Sequence, residues 1–479
     1  MRRARFNRRP SPHPIARAVA PRGADVHIMS RDRPVVTADD AAHYAYAREG
    51  NAHALYRYEG PRADLRGAYL RLLKRASTRE DTGAWRCHPI DALVWNLDET
   101  TATWAAADAR VRDAFFAIER DDRDASTSCA PSSWRDDLGV VRVERDALCA
   151  LVDATMAADA FETARRGGRD GRTASARETV GQLSENAAET SEVFRRDEGD
   201  GTCVVEIKPK SFVGMMIEGR RTWRFRGHQR LKTRRGERAE TSAYWPIDLL
   251  GDDDAVERAC EALMRCPQNN LRITRGGKTL VDDAGARVDD DDDDDARETL
   301  ATVSRLLPRI VRDARDVFAF LFDRQRRGGD DDPATFRAVQ ELVRARTARR
   351  TNASLAPDVV NALRDFSLAQ TAKDCGVLFT VRLRITDDDV RALAPPTRAL
   401  SYTDTNGRAR VCAYRPQIID ASLKSFAKTE SWTRLAEDIA AAVDVDADGD
   451  RGREFSREMF ETRPVVDLIR RLANDRAME

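Results

Sequence analysis

The sequence predicts an α+β fold, in which strands dominate the first part of the chain and helices the later part. Strand patterns occupy residues 44–74 (around a glycine turn), 139–143, 203–207, 376–385 and 411–420. Apolar residues at helical spacing occupy residues 91–118, 296–324 and 333–347. Strands first, mostly helices later and a second set of strands among the helices favour a two-lobed α+β enzyme.

The composition fits a large globular enzyme better than a protein that packages nucleic acid. The 479 residues are 41% hydrophobic, which is enough for a sizeable core, and 34% charged. The 81 basic and 81 acidic side chains cancel, so the chain lacks a basic excess. No apolar run approaches the ~20 residues that span a bilayer. The eight cysteines form no CxxC pair, which argues against a zinc site and favours a reducing compartment.

Two segments are predicted to lie outside the folded core. Residues 1–36 form a basic tail, with nine arginines against two acids among the first 33, and we expect it to be disordered. An Arg-rich, acid-poor N-terminus is also typical of organellar transit peptides, so both a cytoplasmic or nuclear location and an organellar one fit. The seven consecutive aspartates at 289–295 repel one another, and we expect a surface insertion rather than a metal site.

A glycine turn between the first strands is a candidate phosphate-binding loop. It contains Arg48, Gly50 and Asn51, and its backbone N–H groups can face phosphates, although an ordinary hairpin has the same pattern. Arg71 on a following strand can reach the phosphates of a nucleotide, or can be an edge-strand arginine whose head stays in water.

Two basic motifs follow in the middle of the chain. The strand that ends in Glu206 and Lys208 places both on one face, and Pro209 ends it and fixes how Lys208 and Lys210 project. A solvated strand end is the alternative. Residues 220–238 hold nine Lys or Arg against one acid. Arg224, His228 and Lys232 share one stripe if the segment is helical, although Gly227 weakens that prediction. The two motifs together favour one anion pocket over a solvated face or a nucleic-acid footprint.

Three polar motifs complete the candidate site. Asn269 and Asn270 offer donors and acceptors for hydroxyls and phosphates, or form a plain turn. Asp374 lies just before a strand, where it can accept a proton from a substrate hydroxyl. Asp420 ends an apolar strand, a frequent position for a Mg²⁺ ligand in phosphoryl transfer. Taken singly, each Asp is equally consistent with a helix cap or a surface residue.

Together these motifs resemble the inositol-pentakisphosphate 2-kinase family. EIKPK at 206–210, RFRGHQRLK at 224–232, PQNNLR at 267–272 and TAKDC at 371–375 follow in the family's order, and the resemblance spans residues 44–435. It implies transfer of the ATP γ-phosphate to the 2-hydroxyl of inositol 1,3,4,5,6-pentakisphosphate, giving inositol hexakisphosphate (phytic acid), with Mg²⁺ as cofactor. It also implies a two-lobed, kinase-like α+β fold with an added inositide-binding region. The nucleotide-binding lobe would occupy 37–200, and the inositide-binding and catalytic region 201–479. We expect a monomer without a nucleic-acid or membrane partner.

The resemblance also implies a role for each matching residue. The residues on the nucleotide side are Arg48, Gly50, Asn51, Arg71 and Glu206. The ligands of the inositide phosphates are Lys208, Lys210, Arg224, His228, Lys232, Asn269, Asn270, Lys424 and Lys428. Asp374 is the implied general base, assisted by Lys208, and Asp420 is the implied magnesium ligand.

Three departures from the family pattern set limits on this interpretation. Ser422 stands where the family shows a second Asp; on an extended segment it would face the same side as Asp420, so Asp420 would hold Mg²⁺ with less help. An RPxWR-like segment before Glu206 is not recognisable, and the Arg-rich loop at 165–172 is its candidate replacement. The Cys/His cluster of some plant members is missing between Cys266 and Cys375, so no structural zinc is expected.

Two other function classes compete with the kinase. A catalytically weak pseudo-kinase would bind inositides without turnover, but the presence of both Asp374 and Asp420 favours an enzyme. An RNA-binding protein would need aromatic side chains among the basic ones for stacking, and the basic stretch offers only Trp223 and Phe225.

Overall fold

The computed structural model describes seventeen segments of the chain, and every structural statement below concerns them. They are residues 35–49, 53–62, 68–76, 87–98, 104–117, 137–143, 172–174, 180–185, 202–217, 220–275, 278–282, 285–286, 294–329, 331–349, 355–393, 395–404 and 406–443. Predictions for residues 1–34 of the tail, for Gly50 and Asn51, for most of the loop at 165–172 and for most of the aspartate run fall outside these segments. The last two residues of the predicted tail, Val35 and Val36, form a strand, so the disorder expected for residues 1–36 does not extend to them.

The first sheet is built from the strands of the N-terminal part. These are β1 (Val35–Val36), β2 (Tyr44–Glu49), β3 (His53–Tyr58), β4 (Ala68–Ala76), β5 (Asp137–Val143), β6 (Arg172–Ala174) and β7 (Val180–Glu185). Their order is β1-β5-β7-β4-β3-β2, with β6 paired to β4, and only β1 and β5 run parallel among the pairs described. Aromatic and aliphatic side chains such as Tyr56 and Leu70 are buried on it.

The second sheet carries most of the predicted site. Its strands are β8 (Thr202–Ile207), β11 (Leu271–Arg275), β12 (Lys278–Asp282), β13 (Gly285–Ala286), β14 (Gly376–Arg382), β15 (Arg398–Thr403) and β16 (Ala409–Ile419), in the order β13-β12-β11-β8-β14-β16-β15. A two-stranded hairpin, β9 (Gly214–Ile217) and β10 (Arg220–Trp223), lies apart from it. Alternate residues of β8 and β14, among them Val205 and Phe379, are fully buried on one face.

The described segments contain eleven α-helices. They are α1 (Ala38–Ala41), α2 (Pro89–Val94), α3 (Trp104–Phe116), α4 (Arg224–Arg234), α5 (Asp253–Arg265), α6 (Asp294–Asp313), α7 (Arg315–Arg327), α8 (Pro333–Arg349), α9 (Pro357–Asp374), α10 (Asp387–Ala392) and α11 (Thr429–Ala442). Phe318 of α7 contacts Phe379 of β14 with ring centroids 6.1 Å apart, which places α7 on the sheet. Helix α9 packs on α7, and α11 packs on α8 and α4.

The predicted α+β class is confirmed, and most predicted elements are present. The strand patterns at 203–207, 376–385 and 411–420 correspond to β8, β14 and β16, and the pattern at 44–74 divides into β2, β3 and β4. Residues 224–234 of the basic stretch are helical despite Gly227, and residues 220–223 form β10. An added Cβ at Gly227 would lie 2.6 Å from Val443 and 2.9 Å from Ile439 at the end of α11. Glycine therefore permits the close approach of α4 and α11.

Two predicted helices are each divided in the structure. The segment at 91–118 forms α2 and α3, because α2 ends in a Schellman motif. Asn96 takes a φ of 52° there, and the N–H groups of Leu97 and Asn96 bond the carbonyls of Ala92 and Leu93 at 2.8 and 3.2 Å. The segment at 296–324 is interrupted at Ala314, and the carbonyl of the preceding Asp313 accepts a hydrogen bond from Arg398.

Two buried aspartates of the N-terminal helices hold the segment that follows β16. Asp108 of α3 accepts the backbone N–H of Leu423 at 2.6 Å and pairs with Arg112. Asp91 of α2 accepts the Ser425 hydroxyl and the N–H of Phe426, the latter at 3.1 Å. The segment that carries Asp420 and Lys424 is thereby fixed from outside its own sheet. Burial raises the pKa of Asp91 to about 6, although both hydrogen bonds oppose the shift.

Asp91→Asn should remove a pH-dependent cost to stability. Because the pKa is raised on folding, the native state holds this proton more tightly than the unfolded state, so Asp91 lowers stability as pH rises from its unfolded pKa to about 6. An asparagine oxygen still accepts the Phe426 N–H but does not titrate. Relative to wild type, the variant should gain ~2 kcal/mol of unfolding free energy between about pH 4.5 and about pH 7.5, measured in urea. The exposed Asp254→Asn serves as control; an equal gain there would contradict the assignment.

Candidate active site

Three chain segments meet at one edge of the second sheet. Strand β8 ends at Ile207, β14 begins at Gly376 directly after α9, and β16 ends at Ile419. The three strands are neighbours and antiparallel, with Ile207 opposite Val377 and Gly376 opposite Ile419. The residues just beyond these ends therefore converge, although Lys208 and Asp420 lie 212 positions apart in the chain.

Lys208 bridges two carboxylates at this edge. Its Nζ lies 3.3 Å from Oε1 of Glu206 and 3.1 Å from Oδ2 of Asp420. The contact with Glu206 confirms that the two residues share one face of the strand. Burial alone would lower the pKa of Lys208, but Asp420 and Glu206 outweigh it and raise the pKa, so the amine stays charged. An added Cβ at Gly376 would lie 3.1 Å from Cγ1 of Ile419, closer than an ordinary contact, so the glycine allows the close approach of β14 and β16 at this end.

Asp374 ends α9 and forms the second ion pair of the edge. Its Oδ2 lies 2.7 Å from Nζ of Lys424. Burial would raise the pKa of Asp374, but Lys424 and Lys210 outweigh it and lower the pKa, so the carboxylate is ionised. Lys210 lies in the field of Asp374, Asp420, Lys208 and Lys424, and burial lowers its pKa. Three carboxylates and three lysines thus form one compact, balanced cluster, which we call the charge cluster: Glu206, Lys208, Lys210, Asp374, Asp420 and Lys424.

The basic stripe of α4 adjoins the charge cluster. Burial, joined by Lys232, Arg224 and Lys210, lowers the pKa of His228 to about 3, so this imidazole is neutral at physiological pH. It can accept or donate a hydrogen bond there but supplies no charge. Arg224 lies over the Phe336 ring at 5.2 Å, and its Nη1 is buried without a hydrogen-bond partner.

The turn before β11 supplies a second unpartnered polar group. The carbonyl of Asn270 accepts the N–H of Lys208 at 2.8 Å, which fixes the turn beside the strand exit. The Asn270 side chain is buried, and neither its Oδ1 nor its Nδ2 has a partner. A buried amide without partners is costly, and this pair of atoms is therefore suited to a polar ligand. Asn269, its neighbour, is half-buried.

For Arg48 and Arg71, the predicted site residues of the first sheet, the structure describes only which residues lie opposite them in the neighbouring strands. Arg48 of β2 and Arg71 of β4 both pair with Leu55 of β3, one on each side, so they occupy one row across three strands. Gly50 and Asn51, just beyond β2, lie outside the described residues. Lys428 lies at the N-cap of α11, after the short 3₁₀ turn at Phe426–Lys428.

The expectation that Ser422 and Asp420 face the same side is wrong. Asp420 adopts a φ of 64°, which ends the extended geometry at that residue. Ser422 is only 4% exposed, its carbonyl accepts the Thr371 hydroxyl at 3.2 Å, and its own Oγ is buried without a partner. The chain thus directs residue 422 into the core rather than toward the charge cluster.

The described residues contain no group of three or more His, Cys, Asp or Glu side chains arranged to hold a metal ion. A cation at the charge cluster would be bound by one or two carboxylates, and Asp420, directly after β16, is the first candidate. Other oxygens would complete its coordination shell. That sparse protein contribution is typical of Mg²⁺ bound together with a phosphorylated ligand.

Sequence reasoning missed two buried residues that support the site, Gln325 and Asp331. Gln325 bonds the backbone at Lys210, Phe212 and Ala372, and Asp331 contacts Ser211, Arg224 and Lys373. Asp331 belongs to an aspartate triplet before Pro333, which resembles an ordinary helix cap, and Asp332 does cap α8. Of the partners of these two residues, only Lys373 is marked by a sequence motif, because it precedes Asp374 in TAKDC.

Comparisons with known proteins identify the family. The sequence model described as inositol-pentakisphosphate 2-kinase matches residues 46–438, which include every residue of the charge cluster. The chain belongs to the inositol-pentakisphosphate 2-kinase family. It is also similar to inositol-pentakisphosphate 2-kinases of Oryza sativa subspecies indica and japonica, with 31% identity over 84 residues in each case. That alignment covers 17% of this chain and 19% of each rice protein.

The family assignment agrees with the sequence-based resemblance, and the matched region contains all four of its motifs. The family is one of kinases. The structure is a mixed α+β fold, and its antiparallel second sheet bears the charge cluster. None of the helices in the described segments has both the length and the apolar character needed to cross a membrane.

Ser422→Asp should destabilise the protein, whereas Ser422→Ala should not. The site is buried and offers the hydroxyl no partner, so alanine removes an unsatisfied group, while aspartate would bury a carboxylate. We expect a loss of ~2–4 kcal/mol of unfolding free energy for Asp and a change within ~0.5 kcal/mol for Ala, measured by denaturant titration. An Asp variant as stable as the Ala variant would show that residue 422 can turn toward the charge cluster.

Proposed function

We propose that this protein is a kinase that transfers the γ-phosphate of ATP to the 2-hydroxyl of inositol 1,3,4,5,6-pentakisphosphate, giving inositol hexakisphosphate. The observation that carries the proposal is the charge cluster, in which two aspartates and three lysines from three distant segments converge beside an acid of the sheet. Phosphoryl transfer requires positioning and neutralisation of charge more than covalent chemistry by the protein, and this arrangement supplies both.

The inositide would occupy the cationic side of the charge cluster. Lys210, Lys424, Lys232 and Arg224 surround that side, and a substrate with five phosphates needs a dense set of cations. Lys210 and Lys424 now face carboxylates of the protein, and phosphate oxygens would take over these contacts when the substrate binds. The unpartnered amide of Asn270 and the neutral His228 provide hydrogen bonds without further charge. Asn269 and Lys428 are the remaining proposed ligands.

The nucleotide would lie across the polar face of the second sheet. Arg272, Glu206, Leu378 and Gln417 are register partners in successive strands and therefore share that face. Both amide atoms of the buried Gln417 lack partners, which gives this row further capacity for a polar ligand. In a two-lobed arrangement, the first sheet would close over the nucleotide with Arg48, Gly50, Asn51 and Arg71 toward the phosphates. The register row of Arg48 and Arg71 supports this placement.

Asp420 would hold the magnesium ion, with Glu206 and water or phosphate oxygens completing the shell. When bound, Mg²⁺ neutralises charge on the phosphate oxygens. The chain's own contribution is to hold Asp420 in place: Lys208 pairs with its carboxylate, and the left-handed turn at the end of β16 sets the direction of its backbone.

Asp374 would accept the proton of the attacking hydroxyl. Its carboxylate is ionised and half-exposed (55%), and it faces the side of the charge cluster where Lys210 and Lys424 lie. A pKa held low makes it a weak base, which suits a reaction whose hydroxyl loses its proton late, when little base strength is needed. Lys424 would keep the carboxylate oriented until the phosphates of the substrate attract the lysine.

The competing functions have less support. Trp223 and Phe225, the aromatic residues of the basic stretch, are each only 4% exposed and cannot stack on RNA bases. A pseudo-kinase that only sequesters inositides would have no need for an ionised Asp374 beside Asp420.

Asp374→Asn should retain binding and lose turnover. The amide keeps the shape of the side chain but cannot accept the proton, and loss of one general base costs ~10²–10⁴ in rate. The measurement is kcat for conversion of inositol pentakisphosphate to the hexakisphosphate, with the product identified by chromatography. Wild-type turnover by a folded Asn variant would remove Asp374 from this role. If the wild-type protein binds inositide but transfers no phosphate at any Mg²⁺ concentration, the pseudo-kinase hypothesis replaces the proposal.

Lys210→Ala and Lys232→Ala should raise KM for the inositide ~10–100-fold and leave KM for ATP nearly unchanged, because each removes a charged contact to phosphate. The effect should shrink as salt concentration rises. Arg265→Ala, an exposed charge at the end of α5, is the control for a general loss of positive charge. An increase confined to KM for ATP would place these lysines on the nucleotide side instead.

A further inference from the structure

Gln325 connects two of the three segments that form the charge cluster. It lies near the end of α7 and is fully buried. Its Oε1 accepts the N–H of Phe212 at 2.8 Å, and its Nε2 donates to the carbonyls of Lys210 at 2.9 Å and Ala372 at 3.2 Å. All three contacts are with backbone atoms, so this side chain fixes the path of the β8 exit relative to the end of α9.

Asp331 connects the same two segments through side chains. It is 1% exposed and follows α7 by only a few residues. Its Oδ2 accepts the Ser211 hydroxyl at 3.1 Å and lies 3.4 Å from Nε of Arg224, while Oδ1 pairs with Nζ of Lys373. Its own N–H donates to the carbonyl of Gly214 at 3.3 Å, which ties it to the β8 exit a second time.

The residues held in this way are the immediate neighbours of the charge cluster. Ser211 follows Lys210, and Lys373 precedes Asp374. A shift of either neighbour would change the separation of Lys210 from Asp374. Because the orientation of a reacting group within an active site affects rate steeply, a small displacement here would act on turnover.

The charge of Asp331 also determines what Arg224 can do. Asp331 faces two buried cations, and both lie against the Phe336 ring, Arg224 at 5.2 Å and Lys373 at 6.0 Å. Asp331 engages Nε of Arg224 and leaves Nη1 buried without a partner. The guanidinium is planar and rigid, so fixing Nε also fixes the direction of Nη1. Burial lowers the pKa of Lys373, and Asp331 opposes that shift.

We propose that Asp331 is a positioning residue of the active site, which holds Lys373 so that Asp374 meets the substrate hydroxyl and holds Arg224 so that its free Nη1 meets an anionic group of the substrate. This inference rests on the proposed kinase function. A buried ion pair with a purely structural role would affect only stability. A positioning role also predicts effects on kcat and on anion binding that persist when stability is restored.

The test compares Asp331→Asn with the double variant Asp331→Asn, Lys373→Met. Asparagine keeps the shape but leaves two buried cations without their carboxylate, so the single variant should lose both stability and kcat. The double variant removes the unpaired Lys373 charge and should regain stability. If Asp331 positions Asp374 through Lys373, kcat of the double variant should stay at least ~10-fold below wild type, with KM for ATP within ~2-fold. Recovery of kcat together with stability would overturn the proposal.

Binding of the product provides a readout that does not depend on turnover. Calorimetric titration with inositol hexakisphosphate should give a Kd at least ~10-fold weaker for Asp331→Asn than for wild type, because Arg224 loses its fixed direction. Asp332→Asn is the control, since Asn caps α8 as well as Asp does and should change neither kcat nor Kd. Equal Kd values for wild type and Asp331→Asn would contradict the role of Arg224. Absence of transfer by the wild type would refute the kinase function, and the Kd comparison would still decide this inference.

Discussion

The ion pairs of Lys208 with Glu206 and Asp420 are the interaction on which the rest of the site depends. They join the end of β8 to the end of β16 across the first residue of β14, so the edge of the sheet and the charge cluster share one fixed geometry. A charge that is half-buried must be paired to remain charged. Pairing therefore offsets the effect of burial on the lysine, whose pKa is raised so that it stays charged, and holds both acids beside it.

The site is held from both sides by buried polar side chains of elements outside the second sheet. Asp91 and Asp108, from α2 and α3, accept backbone N–H groups of the segment after β16. Gln325 and Asp331, from α7 and the connection after it, hold the β8 exit and the end of α9. Loop segments with exposed backbone would be mobile without such contacts. The contacts of Gln325 and Asp331 hold Lys210 and Asp374 relative to each other. The contacts of Asp91 and Asp108 hold the segment that carries Lys424.

In the proposed function, balance of charge keeps the site stable before a phosphorylated substrate binds. A cup of lysines and arginines alone would repel itself, and these cations add to the effect of burial in lowering the pKa of His228 to about 3. The acids Asp374, Asp420 and Asp331 neutralise the cations in the absence of substrate. In the same proposal, phosphate oxygens would replace the carboxylates at the more exposed positions, whereas the buried Asp331 would stay in place.

The sequence by itself determined the fold class, the strands β8, β14 and β16, the helix of the basic stretch and the family, because period-two and helical patterns and short motifs are local properties of the chain. It also gave Glu206, Lys208, Lys210, Asp374, Asp420 and Lys424 as site residues, which the tertiary structure brings together. The structure alone decided that Ser422 is buried, since one left-handed residue at Asp420 reverses the direction of the side chains that follow. It alone revealed Gln325 and Asp331, whose partners lie 42 to 120 positions away and leave no periodic signal. Long-range hydrogen bonds and ion pairs depend on how elements pack, and that information is not present in any local segment.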